Sequence, residues 1–374
     1  MQLALKRAGY PLLVDGIFGT NTCRALADFL QTDRTPDRIC VVDRSVWEKL
    51  LPYLRGYATE EGENRILFED PVTSVEVPYT SLLTAAVIDG ILARYPFLKS
   101  GEIGKSVMGK PISYLEIGNG EKEVFYNASF HANESITTPV LLKFAEEYAQ
   151  AYEKGTALYG VPAAELFEEY RLFLVPLVNP DGVDLVNGLL TDGGYYRRAQ
   201  QIASDYPAIP FPSGWKANIE GIDLNLQFPA GWENAKRIKY AQGYTKPAPR
   251  DYVGEAPLTA PESEAVYAFT RSHDFRLILA YHTQGEVIYW KYLDYEPAHS
   301  YEIAQYFGRV SGYTVEETPA QSGYAGYKDW FIQEYDRPGY TIEAGMGENP
   351  LPMSDFAGIY RDNAGILLGG MTQI

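Results

Sequence analysis

The sequence is short of basic residues and of long apolar runs, and each shortage argues against a class of protein. Its 374 residues include 32 lysines and arginines against 49 aspartates and glutamates, which gives a net charge of -17. Binding to nucleic acid needs a basic surface that neutralises phosphates, so this balance argues against it and against electrostatic docking on anionic membranes. No apolar run approaches the ~20 residues that cross a bilayer. We therefore expect no nucleic-acid partner and no membrane span.

The first residues lack the basic segment and apolar core of a signal peptide, and they predict an amphipathic helix that ends at Gly9. Cysteine is scarce as well, with only Cys23 and Cys40. A disulfide between them and two buried thiols are both compatible with the sequence, so the pair decides no compartment. Nothing in the sequence indicates an oligomeric state.

The pattern along the chain predicts two domains. Residues 1–55 predict three short helices around the glycine-rich turn Asp15 to Gly19, and residues 56–76 are acidic and predict a linker. Residues 77–374 alternate helical and strand-like runs, which predicts an α/β fold with a mixed, mostly parallel sheet flanked by helices.

A histidine and a glutamate stand at the end of one of the predicted strands. The apolar run that begins at Val124 is followed by His131 and Glu134, and a helical pattern opens soon after them. With 4 histidines and 49 acidic residues in the chain, this spacing has about even odds of arising by composition. The pair alone therefore does not predict a metal site, and its interpretation depends on which residues the fold places near it.

Other polar groups also follow apolar strands, namely Asn179 to Gly182, His282 and Glu343. In open α/β sheets, ligands bind beyond the carboxyl ends of the strands. Two histidines and one carboxylate form a zinc site with a fourth position open, in which zinc lowers the pKa of bound water and polarises a carbonyl. A free carboxylate must then take the water's proton, and Glu343 suits that role. His273 and His299 lack such a context, and we expect them at the surface.

Together, these residues and their flanking motifs resemble the zinc metallocarboxypeptidases of the carboxypeptidase A type. The motifs run in the family's order over about residues 78 to 374: Tyr95-Pro96, Ile103 to Ile112, His131 to Glu134, Val178 to Gly182, Gly221 to Asn225, Ala280 to His282 and Tyr340 to Glu343. The resemblance implies one zinc ion held by His131, Glu134 and His282, with Glu343 as the general base.

The resemblance also implies an arginine that polarises the scissile carbonyl, which should lie within residues 195–198. The aromatic-Arg-basic pattern there favours Arg197, with Arg198 as a neighbouring contact to the substrate. The alternative is a pair of solvated arginines. An electrophile in this position stabilises the developing oxyanion.

The sequence departs from the family where a carboxypeptidase holds the free carboxylate of its substrate. The family has Asn-Arg at this point, and this chain has Asn225-Leu226. Losing the guanidinium removes the bidentate contact to a terminal carboxylate, which puts ordinary carboxypeptidase specificity in doubt. Residues 227–233 instead continue as in bacterial γ-D-glutamyl-diaminopimelate endopeptidases, which act on peptidoglycan. Asn225 remains a candidate contact to the substrate.

The family's mobile tyrosine is hard to place in this chain. Alignment on Asp329-Trp330 puts Gln321 at its position, and Tyr324 is the nearest phenol, which we take as the candidate. With 30 tyrosines in the chain, packing is the competing explanation for any one of them.

Residues 1–55 resemble the three-helix peptidoglycan-binding domain of cell-wall enzymes, on Leu3 to Tyr10 and Val14 to Gly19. A helical dimerisation or linker module is the alternative. The sequence thus predicts a zinc peptidase that cuts the γ-D-glutamyl–diamino acid bond of peptidoglycan. A general metallocarboxypeptidase and an inactive wall-binding protein are the alternatives. A wall substrate favours a cell-wall or extracellular location, with the cytoplasm as the alternative.

Overall fold

A computed structural model describes residues 1–31, 42–53 and 71–374. Within these residues, the large domain is built on one eight-stranded sheet, and a separate two-stranded sheet consists of β4 and β5. The strands are β1 Lys99–Lys105, β2 Pro111–Ile117, β3 Lys122–Ala128, β4 Ala157–Leu158, β5 Val161–Pro162, β6 Tyr170–Val175, β7 Leu277–His282, β8 Val287–Tyr289, β9 Thr314–Glu316 and β10 Gly339–Glu343.

The large sheet has the order β1-β2-β6-β3-β7-β10-β8-β9. Its central strands β6, β3, β7 and β10 run parallel, as does the edge pair β8–β9. The pairs β1–β2, β2–β6 and β10–β8 are antiparallel. The predicted mixed, mostly parallel sheet is confirmed.

Helices cover both faces of this sheet, as predicted. The helices are α1 Gln2–Arg7, α2 Thr20–Leu30, α3 Arg44–Leu50, α4 Ser81–Arg94, α5 Thr137–Glu153, α6 Ala163–Glu169, α7 Pro180–Val186, α8 Gly193–Ser204, α9 Trp232–Ala241, α10 Pro261–Arg271, α11 Ser300–Ser311, α12 Tyr327–Tyr335 and α13 Phe356–Thr372. None of the described helices is long and apolar enough to span a membrane.

The two faces of the sheet have separate apolar cores because side chains alternate along each strand. On β3, Val124 and Tyr126 pack with α4, α5 and α13, whereas Phe125 packs with α10 and α12 on the other face. Burial on both faces explains why the central strands are continuous apolar runs. The same strands end together at one edge of the sheet, where the polar residues singled out in the sequence begin.

Helices α1, α2 and α3 form a small unit with its own core around Leu5, Leu26 and Leu50. Gln2 ties the glycine-rich turn to α1, since its side chain donates to Asp15 Oδ1 at 2.6 Å and accepts from the amide of Gly16 at 2.9 Å. The three predicted helices are present.

One expectation about this part of the chain was not met, and others concern residues that lie outside the described part of the chain. In α3, the helical spacing of Val46, Trp47 and Leu50 predicts that all three face inward, but Trp47 is 40% exposed. Cys40 and residues 56–70 of the predicted linker lie outside the described residues. Cys23 is not a free thiol, so the alternative of two free thiols has no support.

Candidate metal centre

His131 and Glu134 are held by a tight turn after β3. A short 3-10 helix, Ala132–Glu134, begins directly after His131. The amide of Ser129 donates to Thr137 Oγ1 at 3.1 Å, and the same hydroxyl donates to the carbonyl of Glu134 at 2.7 Å. The hydroxyl at the start of α5 thus joins both ends of the turn and fixes where the two side chains point.

His282 and Glu343 end two neighbouring parallel strands. In the pairing of β7 with β10, these two residues are register partners. On its other side, β7 pairs with β3, where Tyr281 lies beside Ala128. The ends of three adjacent strands therefore bring both histidines and both glutamates to one edge of the sheet, where ligands bind in open α/β folds.

The side chains of His131, Glu134 and His282 converge at this edge. Their ligand atoms all lie within 4.8 Å of one another, and all three residues are buried. Glu134 is 3.0 Å from His131 Nδ1 through Oε1 and 3.0 Å from His282 Nδ1 through Oε2, and the two histidine nitrogens are 3.2 Å apart. Two imidazoles and a carboxylate in this arrangement are a donor set that fits zinc.

Asp223 orients His131 from behind. Its Oδ1 lies 3.1 Å from His131 Nε2, and its Oδ2 accepts a hydrogen bond from the amide of Asp251 at 3.0 Å. Burial alone would raise the pKa of Asp223, but the neighbouring His131 and Lys216 hold it well below its usual range. A carboxylate behind a ligand imidazole is a common feature of zinc sites, because it fixes the tautomer and the ring orientation.

Asn225 links the cluster to α12. Its Nδ2 lies 3.4 Å from His282 Nε2, and its Oδ1 accepts from the amide of Tyr327 at 3.0 Å. The residue that the sequence offered as a substrate contact is therefore beside the centre.

Lys216 brings a positive charge to the cluster. Its Nζ is 3.0 Å from Glu134 Oε1, and 18% of its side chain is exposed. The backbone fixes this position, since the carbonyl of Lys216 accepts from the amide of Ala132 at 3.0 Å and its amide donates to Pro249. Burial would lower the pKa of Lys216, but nearby carboxylates, Glu134 above all, hold it above its ordinary value, so the side chain is a cation.

Glu343 is close to the cluster and has no part in the three-donor group. Burial and the negative charge of Glu134 raise the pKa of Glu343 to about 7, although Lys216 and His131 act in the opposite direction. A carboxylate with a pKa near neutral is suited to exchanging protons at physiological pH.

Two cavities open onto this centre. One, of about 210 Å³, includes Asn225 and Leu226 in its lining, and the other, of about 540 Å³, includes Asn133 and Glu348. They share four lining residues: Lys216, Arg250, Tyr289 and Glu343. A substrate that extends on both sides of the centre therefore has room in both directions.

The structure does not bring Arg197 or Arg198 to the centre. Both are exposed on α8, whose buried residues are Ala199, Ile202 and Ala203, and neither lines the two cavities described above. Helical spacing from those buried positions turns residues 197 and 198 toward solvent. The placement gives no support to the predicted role of Arg197, whereas Lys216 and Arg250 are cations that line both cavities.

Leu226 and Tyr324 belong to one apolar cluster, which also contains Trp232 and Val253. Leu226 is 8% exposed and forms part of the wall of the smaller cavity. Tyr324 is half-buried and packs against Tyr292, and in this structure the cavity wall contains its neighbour Ser322 instead. The expected phenol is therefore not at the centre.

The remaining histidines are away from the cluster. His299 is exposed, as expected. His273 is half-buried, and its ring stacks on Phe275 with 4.9 Å between the ring centroids.

Lys216 is the residue that the sequence pattern missed. It lies in the loop Trp215 to Glu220, which has neither helical nor strand periodicity. Its position shortly before the Gly221 to Asn225 motif could have indicated it. A loop that carries a motif into a site can also place the residues that flank the motif there.

Comparisons with known proteins agree with this geometry. The chain is 49% identical over 278 residues to gamma-D-glutamyl-L-diamino acid endopeptidase 1 of Lysinibacillus sphaericus, covering 74% of this chain and 68% of the relative. It is 44% identical over 283 residues to the uncharacterized protein YqgT of Bacillus subtilis (strain 168), covering 75% of this chain and 73% of the relative.

The fold matches solved structures as well. The crystal structure of thrombin activatable fibrinolysis inhibitor superposes with a TM-score of 0.62 at 17% identity, covering 82% of this chain and 77% of that chain. The family model described as peptidase M14, zinc carboxypeptidase, matches residues 84–364. The chain therefore belongs to the zinc carboxypeptidase family of metallopeptidases.

Proposed function

We propose that this protein is a zinc endopeptidase that hydrolyses the bond between γ-D-glutamate and the diamino acid of peptidoglycan stem peptides. The observation that carries the proposal is the convergence of His131, Glu134 and His282 beside Glu343, at a cavity whose wall has Leu226 where the family has a carboxylate-binding arginine. The relative from Lysinibacillus sphaericus, whose name states this bond, supports the choice of substrate.

His131, Glu134 and His282 would hold one zinc ion. When bound, zinc supplies an acidified water and polarises the scissile carbonyl. Asp223 keeps His131 in the orientation that a ligand needs, because it occupies the nitrogen on the other side of the ring.

Glu343 would act as the general base. As a carboxylate it takes a proton from the attacking water and then delivers that proton to the nitrogen of the leaving diamino acid. Its pKa of about 7 suits both transfers, since the group must accept and release the same proton within one turnover.

Lys216 would stabilise the carbonyl oxygen as negative charge develops on it. The ammonium lines both cavities at the centre, so a substrate that passes from one to the other places its scissile carbonyl near it. A fixed positive charge in a site that excludes water lowers the energy of the transition state more than that of the ground state.

Leu226 supports an endopeptidase mode of cleavage. It is buried among Trp232 and Val253, so the position where the family has a carboxylate-binding arginine supplies no guanidinium for a terminal carboxylate. A stem peptide that continues beyond the diamino acid can therefore bind without placing its terminal carboxylate against Leu226.

Incubation with muropeptides and with a hippuryl dipeptide tests this function. We expect release of the diamino acid fragment from the muropeptides and little cleavage of the hippuryl peptide. Cleavage of the hippuryl peptide alone would contradict the proposal and favour a general carboxypeptidase.

We also propose that the N-terminal helical unit binds peptidoglycan and targets the enzyme to the wall. Phe18, in its glycine-rich turn, is 40% exposed and is available for contact. In cosedimentation with purified sacculi, Phe18→Ser should reduce the bound fraction, whereas Leu13→Ser, at a 57% exposed position outside the turn, should not. Equal sedimentation of both variants and the wild type would argue for a linker or dimerisation module.

A further inference from the structure

A further cavity, of about 460 Å³, lies between the N-terminal helical unit and the large domain, and we call it the interface cavity. The helical unit contributes Arg7, Phe18 and Trp47 to its lining, and α4 of the large domain contributes Ala86 and Gly90. Among the described residues, it shares none of its lining with the two cavities at the metal centre. Its volume is within the range of ligand-binding sites, and the proposed catalysis does not use it.

The helical unit contacts α4 directly through its glycine-rich turn. Gly16 has a φ of +77°, and a Cβ atom added to it would lie 3.1 Å from the Cα atom of Leu83, in the first turn of α4. Glycine suits both this backbone conformation and this close approach. An ion pair of Lys6 with Glu76 is a second contact between the two parts of the chain. Each part therefore supplies one wall of the interface cavity.

A buried carboxylate fixes the wall that the large domain supplies. Glu146 on α5 accepts from the amides of Val72 and Thr73, at 2.6 Å and 2.8 Å. Its Oε1 also pairs with Nη1 of Arg94 at 3.2 Å, which joins α4 to α5. Val72 packs closely on Gly90, where an added Cβ would lie 2.6 Å from the Cγ1 of Val72. Contacts within the protein thus build this wall, and no ligand is needed to form it.

Two large aromatic side chains of the helical unit line the cavity. Phe18 and Trp47 are both exposed, although each lies next to the core of a small helical unit. Exposed aromatic rings that face a cavity mark a binding surface, and their flat faces stack on the apolar faces of sugar rings. The rings therefore suit a carbohydrate better than they suit the solvent.

The charge of the lining is positive. Its charged side chains, among the described residues, are Arg7 and Arg94, and no carboxylate of those residues lines the cavity. Nη1 of Arg7 donates to the carbonyl of Tyr53 at 2.7 Å, which holds its guanidinium in the wall. The chain as a whole has a net charge of -17, so this lining is a local exception. A ligand that carries carboxylates is complementary to it.

We propose that α4 of the large domain completes the wall-binding site, so that peptidoglycan binds in the interface cavity and contacts both parts of the chain. Phe18 and Trp47 contact sugar rings of the glycan strand, and Arg7 contacts a carboxylate of an attached stem peptide. Ala86 lies against the same segment from the side of α4. The inference rests on the proposed wall binding and adds the large domain to it. The strand is then held at a fixed position relative to the metal centre.

Two neighbouring alanines of α4 provide a matched test. Both Ala85 and Ala86 are exposed, but only Ala86 lines the interface cavity. Ala86→Glu fills space and places a carboxylate beside the guanidinium groups, so we expect the dissociation constant for purified sacculi to rise by about fivefold or more. Ala85→Glu should leave it within about twofold of the parent value. Cosedimentation with increasing amounts of sacculi measures both, in a Glu343→Gln background that prevents digestion.

A soluble substrate shows whether the variants are folded. With Glu343 intact, Ala86→Glu should cleave the tetrapeptide L-Ala-γ-D-Glu-diaminopimelyl-D-Ala with the parent kcat/KM, because the metal centre is untouched. If Ala86→Glu does not fold, Ala93→Glu takes its place, since Ala93 is another exposed alanine in the lining. Failure of the zinc-loaded parent enzyme to cleave the tetrapeptide would contradict the proposed peptidase and not the wall-binding site.

The binding data also separate the competing accounts of the cavity. Equal binding by Ala86→Glu and Ala85→Glu, with weaker binding by Phe18→Ser, would show that the helical unit binds alone and would overturn the inference. Sacculi stripped of teichoic acid should bind the parent protein as tightly as untreated sacculi. Loss of binding on stripping would assign the cavity to the teichoic acid and would also overturn the inference.

Discussion

Glu343 and His282 are register partners at the ends of two adjacent parallel strands, β10 and β7. The sheet itself therefore sets the distance between the proposed base and one proposed metal ligand. A catalytic geometry fixed by rigid strands is more exact than one that depends on loops. The other two ligands reach the same edge because β3 pairs with the far side of β7.

Loss of a ligand should remove the metal. His282→Ala takes one of three donors from the cluster, so we expect bound zinc to fall from about one ion per chain to well below that after dialysis. Elemental analysis of the purified protein measures this. His299→Ala, at an exposed histidine, should keep the wild-type zinc content. Full zinc retention in His282→Ala would show that this cluster is not the metal site.

Glu343→Gln should separate metal binding from turnover. The amide keeps the size of the side chain but cannot take a proton, so we expect normal zinc content and a loss of kcat of at least about 100-fold. Glu302→Gln, at an exposed position in the first turn of α11, serves as the control and should be fully active. Substantial turnover by Glu343→Gln would refute the proposed base.

Lys216→Met should reduce kcat by about 100-fold to 1,000-fold with zinc retained, because a charge that stabilises the oxyanion is lost. Lys216→Arg should recover part of the activity, since it restores a cation at the same position. Steady-state kinetics of both variants measure the effect. Equal losses in the two variants would mean that Lys216 acts through packing and not through its charge.

The pH profile of Lys216→Met tests independently whether Lys216 lies close to Glu343. Glu343 works as a base only when ionised, so activity falls as the pH drops through its pKa. Lys216 lowers the pKa of Glu343 by favouring the carboxylate. Removal of the lysine charge should therefore raise the pKa of Glu343 and move the acidic limb of kcat/KM to higher pH. In Lys216→Arg the limb should stay where it is in the wild type. A downward shift in Lys216→Met would contradict the proposed proximity of the two groups.

Amidation of the substrate's C-terminal carboxylate should matter little. Leu226 lies in an apolar cluster, so the cavity wall has no guanidinium at this position to bind that carboxylate. For a tetrapeptide that contains diaminopimelate, we expect kcat/KM to change by less than about threefold when the terminal D-alanine is amidated. A loss of about 100-fold or more would show that another group binds the terminal carboxylate and would favour carboxypeptidase action.

The sequence predicted part of the candidate site from polar residues that directly follow buried strands, although Asn179 to Gly182 also follow a strand and do not line the two cavities. His282 and Glu343 were found in this way because an apolar run fixes both the strand and the side of the sheet on which it ends. Arg197 was chosen by local pattern alone, and α8 turns it to solvent. Lys216 was missed as a candidate for the site because its place there depends on a long-range contact, that of its Nζ with Glu134.

Mass spectrometry of the products from a defined tetrapeptide muropeptide tests the central claim most directly. For L-Ala-γ-D-Glu-diaminopimelyl-D-Ala, the structure and its relatives lead us to expect two dipeptides, L-Ala-D-Glu and diaminopimelyl-D-Ala. Release of D-alanine with an intact tripeptide would show carboxypeptidase action and would contradict the account.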